Sequence, residues 1–393
     1  MHQYKWNKHK IRLFGLALLL AGTATAASSG GTVAAAATAT AKPLKLVVNG
    51  NAVSAGSQAP FLDSSGSVYV PLRMVSQLLK SYVDWDGTKK LVSIYAPNHT
   101  VKLTLGARTA QHNDQSFTLN APAKLKNDAV YVPIRFVAQS LGADVKWQSE
   151  TRTVTVDDGN PYELGYSFTS VTTVFWLDKK SGNLYTSDPA STPAVLTGKL
   201  DYTHHDFTSL HVNMLKSGEF VVTMTDDFGE PHVHTEYTAG YVKNKKLIDQ
   251  AAVRFFQRVT PNVTRLGNQA VLSDGKTVRI LNADGSIDKS YDLKKLGGLD
   301  EVYGVEGIGE NYLLIRPNQT GLLMLVNPET GSKKELYELL DPSDQEYALM
   351  NDTPYRGDAL VVDDEHDGVL DLHYISIKDH KEHKLEVKLR EWL

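Results

Sequence analysis

The feature that most constrains the fold is a block of sequence that occurs twice. Residues 68–85 read VYVPLRMVSQLLKSYVDW, and residues 130–147 read VYVPIRFVAQSLGADVKW. Aligned without gaps over residues 68–94 and 130–156, the two copies are identical at eleven of 27 positions. Because the copies are this similar, we expect each of them to fold into the same supersecondary unit.

Each copy predicts a strand, a helix and a hairpin. Val-Tyr-Val is a short strand, and the proline after it cannot continue a strand ladder but suits the first turn of a helix. Apolar residues then recur at helical spacing, and each copy ends in an alternating apolar and polar stretch, VDWDGTKKLVSIYA or VKWQSETRTVTVD, which is typical of a hairpin. One such unit cannot bury both its helix and its sheet face, whereas two can cover each other. We therefore predict an α+β domain of two strand-helix-hairpin repeats over residues 44–158.

The doubled V-Y-V-P-[LI]-R motif, followed by the strand-rich RTVTVD, resembles the copper amine oxidase N-terminal domain, which is often called a stalk domain. The resemblance covers residues 44–157 and implies a secreted or cell-surface protein of Gram-positive bacteria. In that family the module is an appendage of sheet and helix, placed away from the metal centre. We expect Arg73 and Arg135 of the motif to pair with a nearby carboxylate or carbonyl rather than to bind a ligand.

Amine oxidase activity is not expected. The oxidases of this family need a tyrosine in an Asn-Tyr-Asp/Glu context, followed later in the chain by a His-x-His copper pair. The only Asn-Tyr here, Asn311-Tyr312, is followed by Leu313 and comes after His232-Val233-His234, so both context and order differ.

The N-terminal residues predict export. Four basic residues, a short apolar run and the small-residue site Ala24-Thr25-Ala26 indicate a signal peptide over residues 1–26, with a retained N-terminal anchor as the alternative. Residues 27–43 read as a flexible linker. Cleavage would leave 37 basic against 45 acidic residues, a balance that disfavours nucleic acid, and no transmembrane segment would remain. We expect a secreted protein, free or associated with the cell wall, without disulfides because the chain has no cysteine.

Residues 160–393 predict an all-β domain, a five-bladed β-propeller, with a large sandwich as the alternative. Five candidate strand pairs follow one another, and the glycines that precede four of them, Gly218, Gly267, Gly309 and Gly357, are 49, 42 and 48 residues apart. A period in the forties is typical of propeller blades. We expect the closing strand from residues 382–393 or 162–170. Residues 363–373 have the spacing of a calcium loop, but Tyr374 stands where the bidentate glutamate belongs, so a hairpin is expected there.

The phasing of these strands brings two loops, residues 201–207 and 226–234, to one face of the propeller. The candidate ligand-binding residues are His204, His205, Asp206, Asp226, Asp227, Glu230, His232 and His234. Imidazoles and carboxylates at this density could hold a divalent metal such as zinc, and no other cofactor is expected. The alternative is a solvated polar rim.

These observations favour a non-enzymatic binding or scaffold protein, with the stalk domain presenting the propeller to a cell-wall polymer, carbohydrate or protein ligand. The alternative is a carbohydrate-active enzyme that uses carboxylates of the propeller.

Overall fold

The computed structural model describes residues 43–54, 58–168, 172–256, 262–350 and 357–392, apart from the side chain of Val75. The predicted signal peptide and all but the last residue of the predicted linker lie outside these residues.

The first part of the chain contains both copies of the repeat. Its elements are Lys45–Val48 (β1), Asn51–Val53 (β2), Phe61–Leu62 (β3), Val68–Pro71 (β4), Leu72–Leu78 (α1), Tyr82–Asp86 (β5), Leu91–Ala96 (β6), His99–Thr104 (β7), Thr109–His112 (β8), Gln115–Thr118 (β9), Lys124–Lys126 (β10), Ala129–Pro133 (β11), Ile134–Ser140 (α2), Asp144–Gln148 (β12) and Thr153–Asp157 (β13). They form three sheets, in the orders β12-β13-β1-β2, β10-β11-β4-β3 and β5-β6-β7-β8-β9. Each copy therefore supplies a strand, a short helix and a hairpin.

The two copies pair with each other through their Val-Tyr-Val-Pro strands. β4 and β11 run antiparallel, with Val70 opposite Val132, Tyr69 opposite Pro133 and Pro71 opposite Tyr131. Both valines are fully buried in the core that joins the two helices and the two hairpins. The motif is thus self-complementary, because each tyrosine lies beside the proline of the other copy.

The two hairpins are completed by different segments. β7 extends the first hairpin as an antiparallel neighbour of β6. The second hairpin is extended by β1, which comes before either copy in the chain and lies parallel to β13. The repeated units are alike, but their surroundings are not.

The second part of the chain is almost entirely β-structure. Its elements are Tyr162–Phe168 (β14), Thr172–Asp178 (β15), Asn183–Ser187 (β16), Val195–Lys199 (β17), Phe207–Met214 (β18), Phe220–Phe228 (β19), His234–Lys243 (β20), Lys246–Phe256 (β21), Arg265–Leu266 (β22), Gln269–Ser273 (β23), Thr277–Leu281 (β24), Ile287–Asp292 (β25), Leu293–Gly297 (α3), Tyr303–Ile308 (β26), Leu313–Pro317 (β27), Met324–Val326 (β28), Lys333–Glu335 (β29), the 3₁₀ turn Leu336–Leu339, Pro342–Leu349 (α4), Val361–His366 (β30), Val369–Ile375 (β31), Glu382–Lys388 (β32) and the 3₁₀ turn Leu389–Glu391. Consecutive strands pair antiparallel into four sheets of four strands, from β14 to β29, and a last sheet of three.

All five strand pairs predicted from the sequence are antiparallel neighbours in the structure. Gly218, Gly267 and Gly309 lie in the turn between the first and second strands of their sheets, whereas Gly357 precedes the first strand of the last sheet. The two segments expected to supply a closing strand stay apart, since β14 belongs to the first sheet and β32 to the last. Among the described residues, neither crosses into the sheet of the other.

Successive sheets pack through shared apolar clusters, the first with the second and so on to the fourth with the fifth. The other face of the first sheet is covered differently. Its Val174 and fully buried Trp176 pack with Tyr82 of the first repeat. The outer face of the last sheet carries the pair Asp363–His373, whose oxygen and Nδ1 are 2.8 Å apart, and the exposed apolar residues Val361 and Ile375. The region of the repeats thus covers one end of the five-sheet array, and charged side chains face solvent at the other.

Candidate functional site

The eight predicted site residues all lie at one end of the second sheet, β18 to β21. The segment before β18 carries residues 204–206, and the connection from β19 to β20 carries residues 229–233. These two segments meet because neighbouring strands are antiparallel, so β18 begins where β19 ends and β20 begins. Six of the eight residues are drawn together by the contacts described below. Asp227 instead accepts a hydrogen bond from Thr235 Oγ1 at 2.5 Å, and Glu230 is exposed in the connection.

Asp226 organises the segment that enters β18. Its carboxylate is fully buried and accepts backbone N–H groups from His205 at 2.7 Å and Asp206 at 3.0 Å. The Thr208 hydroxyl donates to it at 3.2 Å, and His204 Nδ1 lies 3.4 Å away. Both carboxylate oxygens are therefore occupied within the protein, so Asp226 positions the loop rather than facing a ligand.

A row of four rings crosses the end of the sheet. The ring of His205 stacks on Phe228 with centroids 3.9 Å apart, Phe228 lies 5.2 Å from His234, and His234 lies 5.0 Å from Phe256. The strand register explains the row, because Phe228 is directly opposite His234 and His234 is directly opposite Phe256. Rings on directly opposite residues of neighbouring strands are close enough to pack. We call His205, Phe228, His234 and Phe256 the aromatic row.

A charged pair flanks the aromatic row. Arg254 Nη2 lies 3.1 Å from Glu236 Oε2, and the guanidinium lies 5.0 Å from the centre of the Phe228 ring. The same Nη2 is 3.2 Å from His205 Nε2. His205 Nε2 also lies 3.4 Å from Glu236 Oε2, so this nitrogen faces both a donor and an acceptor.

Two further rings lie on the exposed side of the entering segment. The rings of Phe207 and His232 are 4.9 Å apart, and His232 Nε2 is 3.8 Å from Asp206. Phe207 is 62 % exposed and Phe256 is 46 % exposed. Apolar rings this open to solvent, placed beside imidazoles and charged groups, are a feature of binding surfaces.

Tyr202 lies next to the segment of residues 204–206 and contacts both His204 and Thr208. Burial raises the pKa of its hydroxyl, and the nearby Asp226 carboxylate raises it further. The neutral phenol lies 2.7 Å from Thr208 Oγ1 and 3.1 Å from His204 Nδ1. It thereby ties His204 to the same network that Asp226 organises.

The positions of the imidazoles bear on the predicted metal site, which stays a prediction. In the part of the chain that the structure describes, no group of three or more His, Asp or Glu side chains is placed to hold a metal ion. His232 packs against Phe207, while His234 lies between Phe228 and Phe256, and its buried Nδ1 has no hydrogen-bond partner within the described residues. The two rings thus have different neighbours.

Sequence reasoning missed the aromatic and charged members of this surface. Phe228 and the predicted His234 directly flank the β19-β20 connection, so their positions in the sequence could have indicated that Phe228 belongs to the site. Phe256, Arg254 and Glu236 have no such signal, because only the strand register brings them to the site.

A cavity of about 360 Å³ lies elsewhere, on the third sheet beside the turn at Gly309–Asn311. Two carboxylates line it, Asp288 and Glu310, and Asp288 accepts a hydrogen bond from Gln269 Nε2 at 2.9 Å. None of the eight predicted residues lines this cavity.

Two other predictions concern single motifs. The segment with calcium-loop spacing is the β30-β31 hairpin, with Asp367 and Gly368 in left-handed conformations at its turn, so the hairpin prediction is confirmed. The pairing expected for Arg73 and Arg135 is not seen among the described residues. Both side chains are exposed, and neither has a hydrogen bond or ion pair with any described residue.

Comparison with known families gives a match to the first part of the chain. Residues 47–156 match the family model of the copper amine oxidase N-terminal domain, which confirms the resemblance carried by the doubled motif. The match covers well under half of the chain. The boundary expected at residues 158–160 stays a prediction. No curated protein matches the sequence.

Solved structures give distant likenesses. A virginiamycin B lyase from Staphylococcus aureus is 14% identical, with 57% of this chain and 70% of that chain covered and a TM-score of 0.28. A chain of a nidogen/laminin complex is 9% identical over 64% and 77%, with a TM-score of 0.23. A protein of unknown function from Bacteroides caccae is 10% identical over 75% and 91%, with a TM-score of 0.25. Likenesses of this degree carry no conclusion about this chain.

The helices can also be compared with the thickness of a membrane. Of those that the structure describes, none is both long enough and apolar enough to span a bilayer.

Proposed function

We propose that this is an exported, non-enzymatic binding protein of a Gram-positive-type bacterium. In this proposal the stalk region holds a propeller-like array of five blades, and the end of the second blade binds the ligand. The match of residues 47–156 to a stalk-domain family supports the first part. The five consecutive antiparallel sheets support the second.

The observation that supports a binding role is that exposed aromatic rings lie beside a loop, residues 204–206, whose backbone is fixed by a buried carboxylate. Asp226 fixes the backbone of residues 205 and 206, and the sheet register fixes the aromatic row. A surface whose groups are held in place before binding loses little entropy when a ligand arrives. Rigid aromatic rings beside paired charges offer apolar contact and hydrogen bonds together.

The ligand class follows from the chemistry of the surface. Ring faces and edges pack against the apolar C–H face of a sugar or against an apolar side chain, while Glu236, Arg254 and the imidazoles bond hydroxyl or amide groups. The acidic balance of the chain, 41 basic against 45 acidic residues, disfavours nucleic acid. We infer a carbohydrate, cell-wall polymer or protein segment as the ligand.

The test is a binding screen of the full chain against cell-wall polysaccharides, neutral glycans and peptides. Phe228→Ala removes the ring at the centre of the aromatic row and should weaken binding by about tenfold to a hundredfold, as expected for a central aromatic contact. Phe168→Ala is the matched control, because Phe168 is 76 % exposed and lies on the first sheet. Equal affinity of Phe228→Ala and wild type for every ligand found would reject this surface.

A hydrolytic enzyme is the rival, and the two carboxylates of the cavity on the third sheet are the observation that favours it. Glycosidases use a pair of carboxylates flanking the scissile bond. Release of reducing sugars by wild type, lost in Asp288→Asn or Glu310→Gln but kept in Phe228→Ala, would establish the enzyme. No release with any bound glycan supports the binding protein.

Export is tested separately, by sequencing the N-terminus of the protein recovered from the culture medium, the cell wall and the cytosol. Cleavage after Ala26 in the first two fractions is expected. An intact N-terminus on cytosolic protein alone would contradict it.

A further inference from the structure

The two copies of the repeat share residues that the core does not need. Tyr69 and Tyr131, like Val70 and Val132, are identical and buried, so packing accounts for them. Three other identical positions are exposed in both copies. They are Arg73 with Arg135, Gln77 with Gln139, and Trp85 with Trp147.

The arginine and glutamine of each copy lie one turn apart on the exposed side of α1 or α2. Residues four apart on a helix are neighbours on its surface. Neither arginine has an ion pair or hydrogen bond with the described residues. The planar guanidinium of each arginine, with its five N–H donors, is therefore open to a ligand. Carboxylate and phosphate groups match the geometry of these donors.

The tryptophans lie on edge strands, Trp85 on β5 and Trp147 on β12. Each faces a buried valine across the hairpin, yet Trp85 is 43 % exposed and Trp147 is 38 % exposed. Exposed indoles are enriched at binding surfaces.

The topology brings the three residue types of one copy to the same side. Only residues 79–81 and 141–143 separate each helix from the strand that follows, and the two elements pack together. From this short connection we infer that helix and strand run in opposite directions. The first turn of the helix, with its arginine, thus lies along the later half of the strand, where the tryptophan is. The hairpin turn at this end of the strand carries a further basic residue in both copies, Lys90 or Arg152.

We propose that each repeat carries one binding site for an anionic glycan, a polymer that combines sugar rings with carboxylate or phosphate groups. The tryptophan packs on a sugar ring, and the arginine binds the anionic group. The antiparallel β4-β11 pair relates the two sites by an approximate twofold axis, so a long polymer can engage both. The sites are separate from the aromatic row, so this inference does not depend on the proposed function.

The test measures binding of the full chain to alginate, which carries carboxylates, and to poly(glycerol phosphate) bearing sugar substituents, which carries phosphates. Dextran is the neutral glycan, and poly-glutamate is the anion without sugar. Arg73→Ala or Arg135→Ala alone should weaken binding about tenfold to a hundredfold through lost bivalency, and the double variant should abolish it. Lys102→Ala is the matched control, since Lys102 is an exposed cation of the same region without an ion pair among the described residues.

Two further variants separate charge and stacking. Arg73→Lys with Arg135→Lys keeps both charges but loses the forked geometry and should bind less tightly than wild type. Trp85→Phe with Trp147→Phe should remove the change in tryptophan fluorescence on binding, while circular dichroism shows the folded spectrum for every variant.

The proposal predicts that at least one of the two anionic glycans binds, and the one that binds identifies the source of the anion. Wild-type affinity in the double arginine-to-alanine variant would overturn it. The proposal would also be overturned if dextran or poly-glutamate bound as tightly as both anionic glycans. It would be overturned as well if neither anionic glycan bound. Binding lost in the double arginine variant and kept in Phe228→Ala supports this inference, whereas binding lost in Phe228→Ala and kept in the double arginine variant belongs to the aromatic row.

Discussion

The indole Nε1 of Trp176 donates a hydrogen bond to the backbone carbonyl of Lys80 over 2.7 Å. Trp176 belongs to the first of the five sheets, and Lys80 lies two residues after the helix of the first repeat. The ammonium of Lys80 also lies 3.1 Å from Glu163 of the same sheet. One residue of the repeat region is thus held by both its main chain and its side chain, so the two regions are joined at a specific, largely buried contact.

Replacing Trp176 with phenylalanine should lower the free energy of unfolding by about 2–4 kcal/mol. The substitution leaves a cavity and removes the donor to a partly buried carbonyl. Urea denaturation should show a lower midpoint in one shared transition. Trp392→Phe is the control, because Trp392 is 36 % exposed, and it should change the free energy of unfolding by less than about 0.5 kcal/mol. A shift confined to one of two separate transitions would contradict the coupling.

Arg316 should be one of the most sensitive positions in the chain. Its guanidinium pairs with Glu306 and with the fully buried Asp358 and donates to the carbonyls of Gly321 at 2.6 Å and Leu360 at 2.7 Å. Burial opposes its charge, but the two carboxylates outweigh burial, so its pKa is raised. Arg316→Ala leaves Glu306 and Asp358 without a cationic partner and should destabilise the protein by about 3–5 kcal/mol.

The matched control for Arg316 is Arg265→Ala. Arg265 is an exposed arginine of the third sheet and has no ion pair with the described residues. Thermal unfolding should separate the two variants clearly. Similar melting temperatures for both would mean that the buried network does not stabilise the fold.

Asp226 should affect ligand binding without touching the ligand. Asp226→Ala frees the backbone N–H groups of residues 205 and 206 and should cost about 2–4 kcal/mol of stability. Binding at the aromatic row should weaken as well, because His205 loses its fixed position. Asp227→Ala is the neighbouring control, since that carboxylate bonds Thr235 instead. Calorimetry of both variants with a bound ligand checks this, and equal loss of affinity in the two would argue against a positioning role.

Stability should fall in mild acid because of His99. Its Nδ1 lies 3.1 Å from His112 Nε2, and burial together with His112 lowers the pKa of His99. The unfolded chain takes up this proton below its ordinary pKa of about 6.5, whereas the folded protein resists it, so stability is complete above that pH and decreases below it. Melting temperatures from pH 7.5 to 5 should decline less steeply in His99→Gln. The exposed His211→Gln should keep the wild-type slope, and identical slopes in all three proteins would count against the prediction.

The five strand pairs could be predicted because alternation of apolar and polar residues is local, and turns such as Asp367-Gly368 mark where the chain reverses. The meeting of residues 204–206 with His232 and His234 could also be expected, since antiparallel strands bring alternate connections to one end. Arg254 and Phe256 could not be assigned to the site, because a shift of one residue in the β20-β21 register would turn both to other faces.

The long-range packing also could not be predicted from the sequence. Trp176 looks like any apolar strand residue until the first sheet is seen to lie against Tyr82 and Lys80. The exposed state of Arg73 and Arg135 depends on which carboxylates approach the helices in three dimensions, and a motif does not contain that information.

The self-pairing of the two Val-Tyr-Val-Pro strands bears on how the repeat originated. A contact in which residue 70 faces residue 132 and each tyrosine faces the other copy's proline has the symmetry of an isologous dimer. A chain with a single copy could bury the same strand only by associating with a second chain. Gene duplication followed by fusion would join two such subunits into one polypeptide, remove the dependence on protein concentration and leave each half free to diverge, as the different partners of the two hairpins illustrate.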